Sequence, residues 1–514
     1  MSLRPARLRF ARAHRRTTVR GAIPPFATLL VLAASISAVL LPCAPTVLAA
    51  PAASELQIGI SAYAPPGPEG SLTAERIRAA GASAIKIVIS WSQIAPADPR
   101  PGFEPANPFD RGYDWYELDR EVNLAVASGL EPLVVLFGAP RWAEGGPGTA
   151  AGGINAPDPA QLALFARAAA LRYDGTHPGL PRVRYWGVWN EPNVSLFMIP
   201  QFQAGRAVSI GRYREMVNGV AAGVKAVHPD NLVVAGELFP NAANRSGLQA
   251  VAPLAFLRGF FCVSAGAHPR RTCRTRVNAD IVSVHPYTSG GPSDRPADPD
   301  NVWIGNLSSV RSLIAAAQRL GNLVSRGPTG FWATEFAWNT NPPSSGGVPV
   351  TLDARWIAEA LYRMSRSGVG LAVYFGLRDE ASIFRSGLYY SCPGGMRCDV
   401  PKPGLAAFRF PFVAYTTSHK RQVVIWGRTP AGVPGSVRVQ SSAGGSWRRL
   451  ITLRSDGDGI FAARVQIPGS VGMARFSLRA VLSSGSAHAD GSLEDVSPGF
   501  SLRRPPDLRV TPFG

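Results

Sequence analysis

The chain has 514 residues, is 46% hydrophobic and only 17% charged, and carries a formal charge of +19. That apolar content excludes a disordered polyelectrolyte, and the length exceeds the roughly 250 to 300 residues at which single cores stop growing, so a large unit plus a smaller one is expected. The basic balance is an Arg-rich bias along the chain with no cluster of Lys and Arg interleaved with aromatics, which argues against nucleic acid as a partner.

The chain opens with Arg4, Arg7, Arg9, Arg12, Arg15, Arg16 and Arg20, then an apolar run over 26–41 and small residues around 49–53. Positive, apolar, small is the order of a secretory signal, so residues 1–52 are expected to leave on export, with cleavage near Ala50-Pro51-Ala52. A retained anchor is the alternative, because the run approaches the span of about 20 residues that crosses a membrane. The signal reading gives a secreted or cell-surface protein with no stable membrane insertion. Four cysteines lie beyond it in two close pairs, Cys262 with Cys273 and Cys392 with Cys398. An oxidising compartment favours two local disulfides, and the spacing lacks the C-x-x-C of structural zinc.

From 53 to 417, short apolar runs alternate with longer amphipathic stretches. Strands are predicted at 56–60, 84–90, 132–137, 183–189, 232–235, 280–284, 330–334 and 371–375, with helices between them at 73–80, 114–128, 159–173, 210–227, 302–320 and 353–367. Such alternation implies an α/β fold with a parallel (β/α)8 TIM barrel, whose active face lies at the C-terminal ends of its strands. From 418 to 514 the texture changes to short alternating strands divided by Gly, Ser and Asp turns, predicting an all-β sandwich with a loose Pro-rich tail. Trp426 and Trp447 are the only obvious aromatic candidates for a sugar platform there, so this part is expected to cover the barrel flank, with carbohydrate binding as the alternative.

Two strand ends carry the chemistry. Tyr185-Trp186-Gly187-Val188-Trp189-Asn190-Glu191-Pro192 closes the fourth strand and Phe331-Trp332-Ala333-Thr334-Glu335 the seventh. Each sets a carboxylate after an apolar, aromatic-rich run, and paired carboxylates are what glycosidic bond cleavage requires. A helix-capping or ion-pairing role fits either glutamate alone, but not as well both together. The chain contains no phosphate-binding G-x-x-x-x-G-K loop, no G-x-S-x-G elbow and no H-E-x-x-H helix, and neither a metal nor another cofactor is expected.

Trp189-Asn190-Glu191-Pro192 and Thr334-Glu335 resemble the strand-four and strand-seven motifs of the clan A glycoside hydrolases. Weaker echoes in Ser90-Trp91-Ser92-Gln93-Ile94-Ala95-Pro96, Val284-His285-Pro286-Tyr287 and Lys402-Pro403 are similar to families 39 and 5, the xylosidase-like and cellulase-like members. The resemblance implies an exported, retaining glycoside hydrolase acting on a poly- or oligosaccharide as a monomer. It makes Glu191 the acid/base and Glu335 the nucleophile, has Asn190 hold a sugar hydroxyl, and sets His285 and Tyr287 beside the nucleophile. A non-catalytic glycan-binding or cell-wall protein on the same barrel is the alternative. Trp91, Trp142 and Trp338 fall near strand ends, where at least one is expected to stack on sugar and the others to pack the rim. Two departures stand out: Lys86 occupies the strand-two position where clan members carry an arginine, and strand eight ends in Tyr374-Phe375 instead of a tryptophan.

Overall fold

The computed structural model describes residues 55–145, 152–380, 384–483 and 494–510, and the export segment expected over 1–52 lies outside them. Eight parallel strands close a barrel: β1 Gln57–Ser61, β2 Ala84–Ser90, β3 Glu131–Phe137, β4 Tyr185–Val188, β5 Leu232–Leu238, β6 Ile281–Val284, β7 Gly330–Phe336 and β8 Leu371–Phe375. Each strand pairs with its sequence neighbours, and β8 closes on β1 through the register Gln57 to Leu371 and Ile60 to Tyr374. A helix follows each strand: α1 Pro68–Ala79, α2 Tyr116–Ala127, α3 Pro159–Arg172, α4 Ser209–Val227, α5 Pro253–Phe261, α6 Leu307–Arg319, α7 Val350–Arg366 and α8 Pro403–Arg409. The (β/α)8 expectation holds.

Strand alternation sorts side chains to two faces. Ile85, Ile87, Val134 and Leu136 join the large core shared with the helices, whereas Leu133, Val135, Val234 and Ile281, and separately Ala84, Leu371 and Val373, fill the barrel interior, with Trp332 packed against both interior groups. Gly187 belongs to this layer, since a β-carbon there would meet the Val135 side chain at 2.7 Å. Thus the barrel is plugged from below, and what lies above the plug on β2, β4, β5, β6 and β7 is a pocket floor.

The start of α3 illustrates how local sequence sets an element. Asp158 caps it by accepting from the Ala160 and Gln161 amides, and Pro159 supplies the first helical position. Inside that helix Phe165 lies between Trp91, 5.3 Å away and near parallel, and Trp115, 5.7 Å away and parallel within 3°. Phe165→Ala is expected to cost about 3 to 5 kcal/mol, because a stacked, sealed aromatic is replaced by a void. Urea unfolding of the two proteins measures it, and a loss below about 1 kcal/mol would show that the stack collapses to fill the gap.

Beyond the barrel, β9 Phe412–Thr416, β10 Gln422–Arg428 and β13 Ile460–Gln466 form one antiparallel sheet. A second sheet holds β11 Ser436–Ser442, β12 Arg448–Arg454, β14 Ser477–Ser483, β15 Glu494–Val496 and β16 Phe500–Ser501. The first of these strands lies ahead of position 418. Trp426 is buried and packs 5.6 Å from Tyr362 of α7, while Arg355 of α7 lies over the Phe500 ring and donates to the Ser501 carbonyl. The sheets are therefore docked on the barrel flank, and Trp426 is consumed in that packing. Both expected disulfides are present, with Cα separations of 5.2 Å for Cys262–Cys273 and 5.6 Å for Cys392–Cys398. Among the described residues no helix is long and apolar enough to cross a membrane.

Candidate active site

Three carboxylates, a lysine, a histidine and a tyrosine meet above the interior plug. Lys86, on β2, follows the same inward alternation as Ala84, and its ammonium donates to Glu335 Oε1 at 2.9 Å and lies 2.5 Å from Glu237 Oε2. His285, just past β6, places Nδ1 at 2.9 Å from Glu191 Oε1 and 3.5 Å from Glu335 Oε2, and Nε2 at 3.1 Å from Glu237 Oε2. The Tyr287 hydroxyl donates to Glu335 Oε2 at 2.8 Å. Oxygens of Glu191 and Glu335 lie within 4.8 Å of each other. With His285 they have the spacing of a metal-ligand group, but the ammonium of Lys86 already matches the charge of Glu335, and no metal role is assigned.

The backbone is bent to achieve this convergence. Trp189 and Glu191 have φ of 64° and 41°, left-handed values that cost non-glycine residues about 1 to 3 kcal/mol each. The bend is held by Trp189 N–H donating to the Leu136 carbonyl, Trp189 Nε1 to the Phe197 carbonyl, and Glu191 N–H to the Glu237 carbonyl. On β5 the register with β6 slips by one residue at Gly236-Glu237, where φ is 125° and then 52°. Only glycine fits at 236, since a β-carbon would stand 2.1 Å from the Ser283 carbonyl oxygen. A second slip on β7, between Ala333 and Phe336, accompanies Glu335. Such bulges re-aim a side chain that the regular pleat would direct elsewhere. Tyr213 of α4 ties the two bends together, donating to the Val188 carbonyl and accepting from the Gly236 amide.

The electrostatics separate the two glutamates expected to react. Burial raises the Glu191 carboxyl above its ordinary range, with the charge of Glu335 adding to this and His285 opposing it. Burial also acts against ionised Glu335, but the charges of His285 and Lys86 and the bonds from Lys86 and Tyr287 outweigh it and hold this carboxyl below its ordinary range. Glu237 is likewise held low, Lys86 and His285 overcoming its burial. His285 is raised to about 9: burial and Lys86 lower it, and Glu335, Glu191 and Glu237 together raise it further. The site thus pushes Glu191 toward its protonated form and holds Glu237 and Glu335 toward their ionised forms, beside a Lys86 and a His285 that are cationic at neutral pH.

Of the residues expected from sequence, Glu191, Glu335, Lys86, His285 and Tyr287 are brought together. Asn190 sits beside them, half-buried, with a buried Oδ1 that no protein donor reaches. Trp91 and Trp338 are corrected: both are 0% exposed. Trp91 is stacked on Phe165, and Trp338 donates to the Thr288 and Gly290 carbonyls, so neither can offer a face to a sugar. Trp142 alone of the three is half-exposed, with its ring edge bonded to the Pro96 carbonyl. At the end of β8, Tyr374 is buried against Phe336 and Phe408, and Phe375 packs on Phe384. Sequence reasoning missed Glu237. Its signal was available, because Leu232-Val233-Val234-Ala235-Gly236-Glu237 is a third apolar run closed by a carboxylate.

Fold and site together define a (β/α)8 barrel with a charged carboxylate cluster at the C-terminal ends of its strands. No family model and no curated protein sequence matches the chain. Among solved structures, it is similar to a family 39 glycoside hydrolase from the gut symbiont Bacteroides cellulosilyticus WH2, at 16% identity and a TM-score of 0.49 over 80% of this chain and 81% of that one. It is also similar to the GH39 enzyme from Xanthomonas axonopodis pv. citri, at 16% identity and a TM-score of 0.47 over 83% and 93% of the two chains. A glucosidase from Croceicoccus marinus follows at 14% identity and a TM-score of 0.46 over 81% and 95%. These likenesses are too distant to assign the reaction, which rests on the site itself.

Proposed function

We propose that the protein hydrolyses O-glycosidic bonds of a poly- or oligosaccharide with retention of anomeric configuration. The observation that carries this is the pair Glu191 and Glu335, with oxygens within 4.8 Å and opposite protonation preferences. Retaining sites hold their carboxyl groups about 5 to 5.5 Å apart, whereas inverting sites leave about 6.5 to 9.5 Å for a water. Glu335 attacks the anomeric carbon as the bond to the leaving oxygen breaks, and that oxygen takes the proton from Glu191. Glu191, now ionised, deprotonates a water that displaces Glu335 and restores both groups. Lys86 and Tyr287 fix the two Glu335 oxygens before attack, so little reorientation is left for the transition state. Asn190 supplies its free acceptor to a sugar hydroxyl, and Trp142 is the remaining indole able to lie along a ring.

A groove of about 690 Å3 opens past the C-terminal ends of β1 and β8, the barrel face that also carries the cluster, and its lining of Tyr63, Leu377, Arg378 and Arg385 among others gives room for further sugar units. Two local disulfides and the signal-like first 52 residues support export. The test is incubation with a panel of mannans, xylans, β-glucans and arabinans, with proton NMR of the first product. Release of the retained anomer is expected, while inverted product, or binding with no turnover on every glycan bound, would sink the reading.

A further inference from the structure

Glu237 has no part in the reaction just described, yet it is 0% exposed and carries a left-handed backbone at φ 52°. A glutamate is costly to bury ionised unless its oxygens are fully matched. Here they are: Oε1 accepts from Ser283 Oγ at 2.9 Å, and Oε2 faces Lys86 Nζ at 2.5 Å and His285 Nε2 at 3.1 Å. The Glu237 amide donates to the same Ser283 hydroxyl. Lys86 Nζ and His285 Nε2 lie only 3.3 Å apart. Two positive centres at that distance repel strongly in a dry pocket, and the bridging carboxylate is what makes the approach tolerable.

Lys86 is shared between Glu237 and Glu335, and His285 between Glu237 and Glu191. We propose that Glu237 is a positioning residue, a third carboxylate that fixes Lys86 against the nucleophile and His285 against the acid/base. This rests on the glycosidase reading for its roles but on geometry alone for its contacts. The groups facing Glu237 are Lys86 from β2, Ser283 from β6, His285 just past β6 and Tyr213 from α4; those facing His285 are Glu191, Glu237, Glu335, Lys86 and Tyr287. Loss of the Glu237 charge leaves Lys86 and His285 unscreened from each other, so the imidazolium releases its proton more readily.

Glu237→Gln tests this with size retained. His285 titration, followed by NMR on 13C-histidine protein and assigned with His285→Asn, is expected to fall from about 9 by one unit or more. Turnover is expected to fall about 10- to 100-fold with KM within about threefold, since Glu237 cannot reach substrate and acts through its neighbours. A His285 midpoint moved by less than about 0.3 units, with turnover within about twofold, would overturn the proposal. Should Glu237→Gln not fold by circular dichroism, Ser283→Ala decides: it removes both bonds between the Ser283 hydroxyl and Glu237, and the His285 midpoint must fall in the same direction. A parent protein without turnover on any glycan would remove the glycosidase reading, and the His285 titration would still judge Glu237.

Discussion

Glu335→Gln is expected to lower kcat on a glycan substrate by on the order of 10^4-fold or more, roughly 5 to 6 kcal/mol of transition-state stabilisation. The amide cannot form the glycosyl ester, so the covalent route is lost rather than slowed. Substrate binding should change little, because Asn190 and Trp142 are untouched. The variant also leaves Lys86 and His285 facing a neutral group, and removing one partner of a buried pair costs about 3 to 5 kcal/mol, so folding is checked by urea unfolding in parallel. A folded variant retaining turnover within about tenfold of the parent would exclude Glu335 as nucleophile. In the parent, Glu335 must be ionised, and its carboxyl is held below the ordinary glutamate range. Activity therefore rises as pH climbs through that lowered value, placing the acid limb of the rate profile below the range of a solvent-exposed glutamate.

The barrel was legible because its strands are continuous apolar runs covered on both faces, and period and length alone separate them from the helices. The reacting pair was legible because Trp189-Asn190-Glu191 and Thr334-Glu335 stand at the ends of such runs. What the sequence concealed were the departures from a regular pleat. The predicted strand spans 232–235; in the molecule β5 continues to Leu238 through a bulge that turns Glu237 inward. Nothing local announces that slip, because the clash that demands glycine comes from Ser283 on the next strand. The tryptophans failed for a related reason. Position after a strand end does not say which way an indole points, and Trp91 and Trp338 turn outward to the helix layer, where Phe165 and Trp356 meet them.

Glu191→Ala is expected to divide substrates by their leaving groups. A polysaccharide departs as an alkoxide that needs the proton of Glu191, and general acid catalysis of this kind is worth about 10^2- to 10^4-fold, so turnover on glycan should fall by that factor. An aryl glycoside with a nitrophenolate leaving group needs no such proton. Its first step should survive, and the second should stall for want of a base, giving a burst of phenolate followed by a slow steady state. Azide, an anion that attacks without deprotonation, should then restore turnover and yield the glycosyl azide with retained configuration; no rescue, or equal losses on both substrates, would remove Glu191 from the acid/base role. The pH profile supplies an independent sign. In the parent, Glu191 must be protonated, and burial raises its carboxyl, so activity is lost as pH rises through that raised value. With alanine the alkaline limb on aryl substrate should disappear while the acid limb of Glu335 remains. Two glutamates of equal acidity would leave almost no pH at which one is protonated and the other ionised. The pocket opens that window by aiming the hydrogen bonds of Lys86 and Tyr287 at Glu335 and not at Glu191.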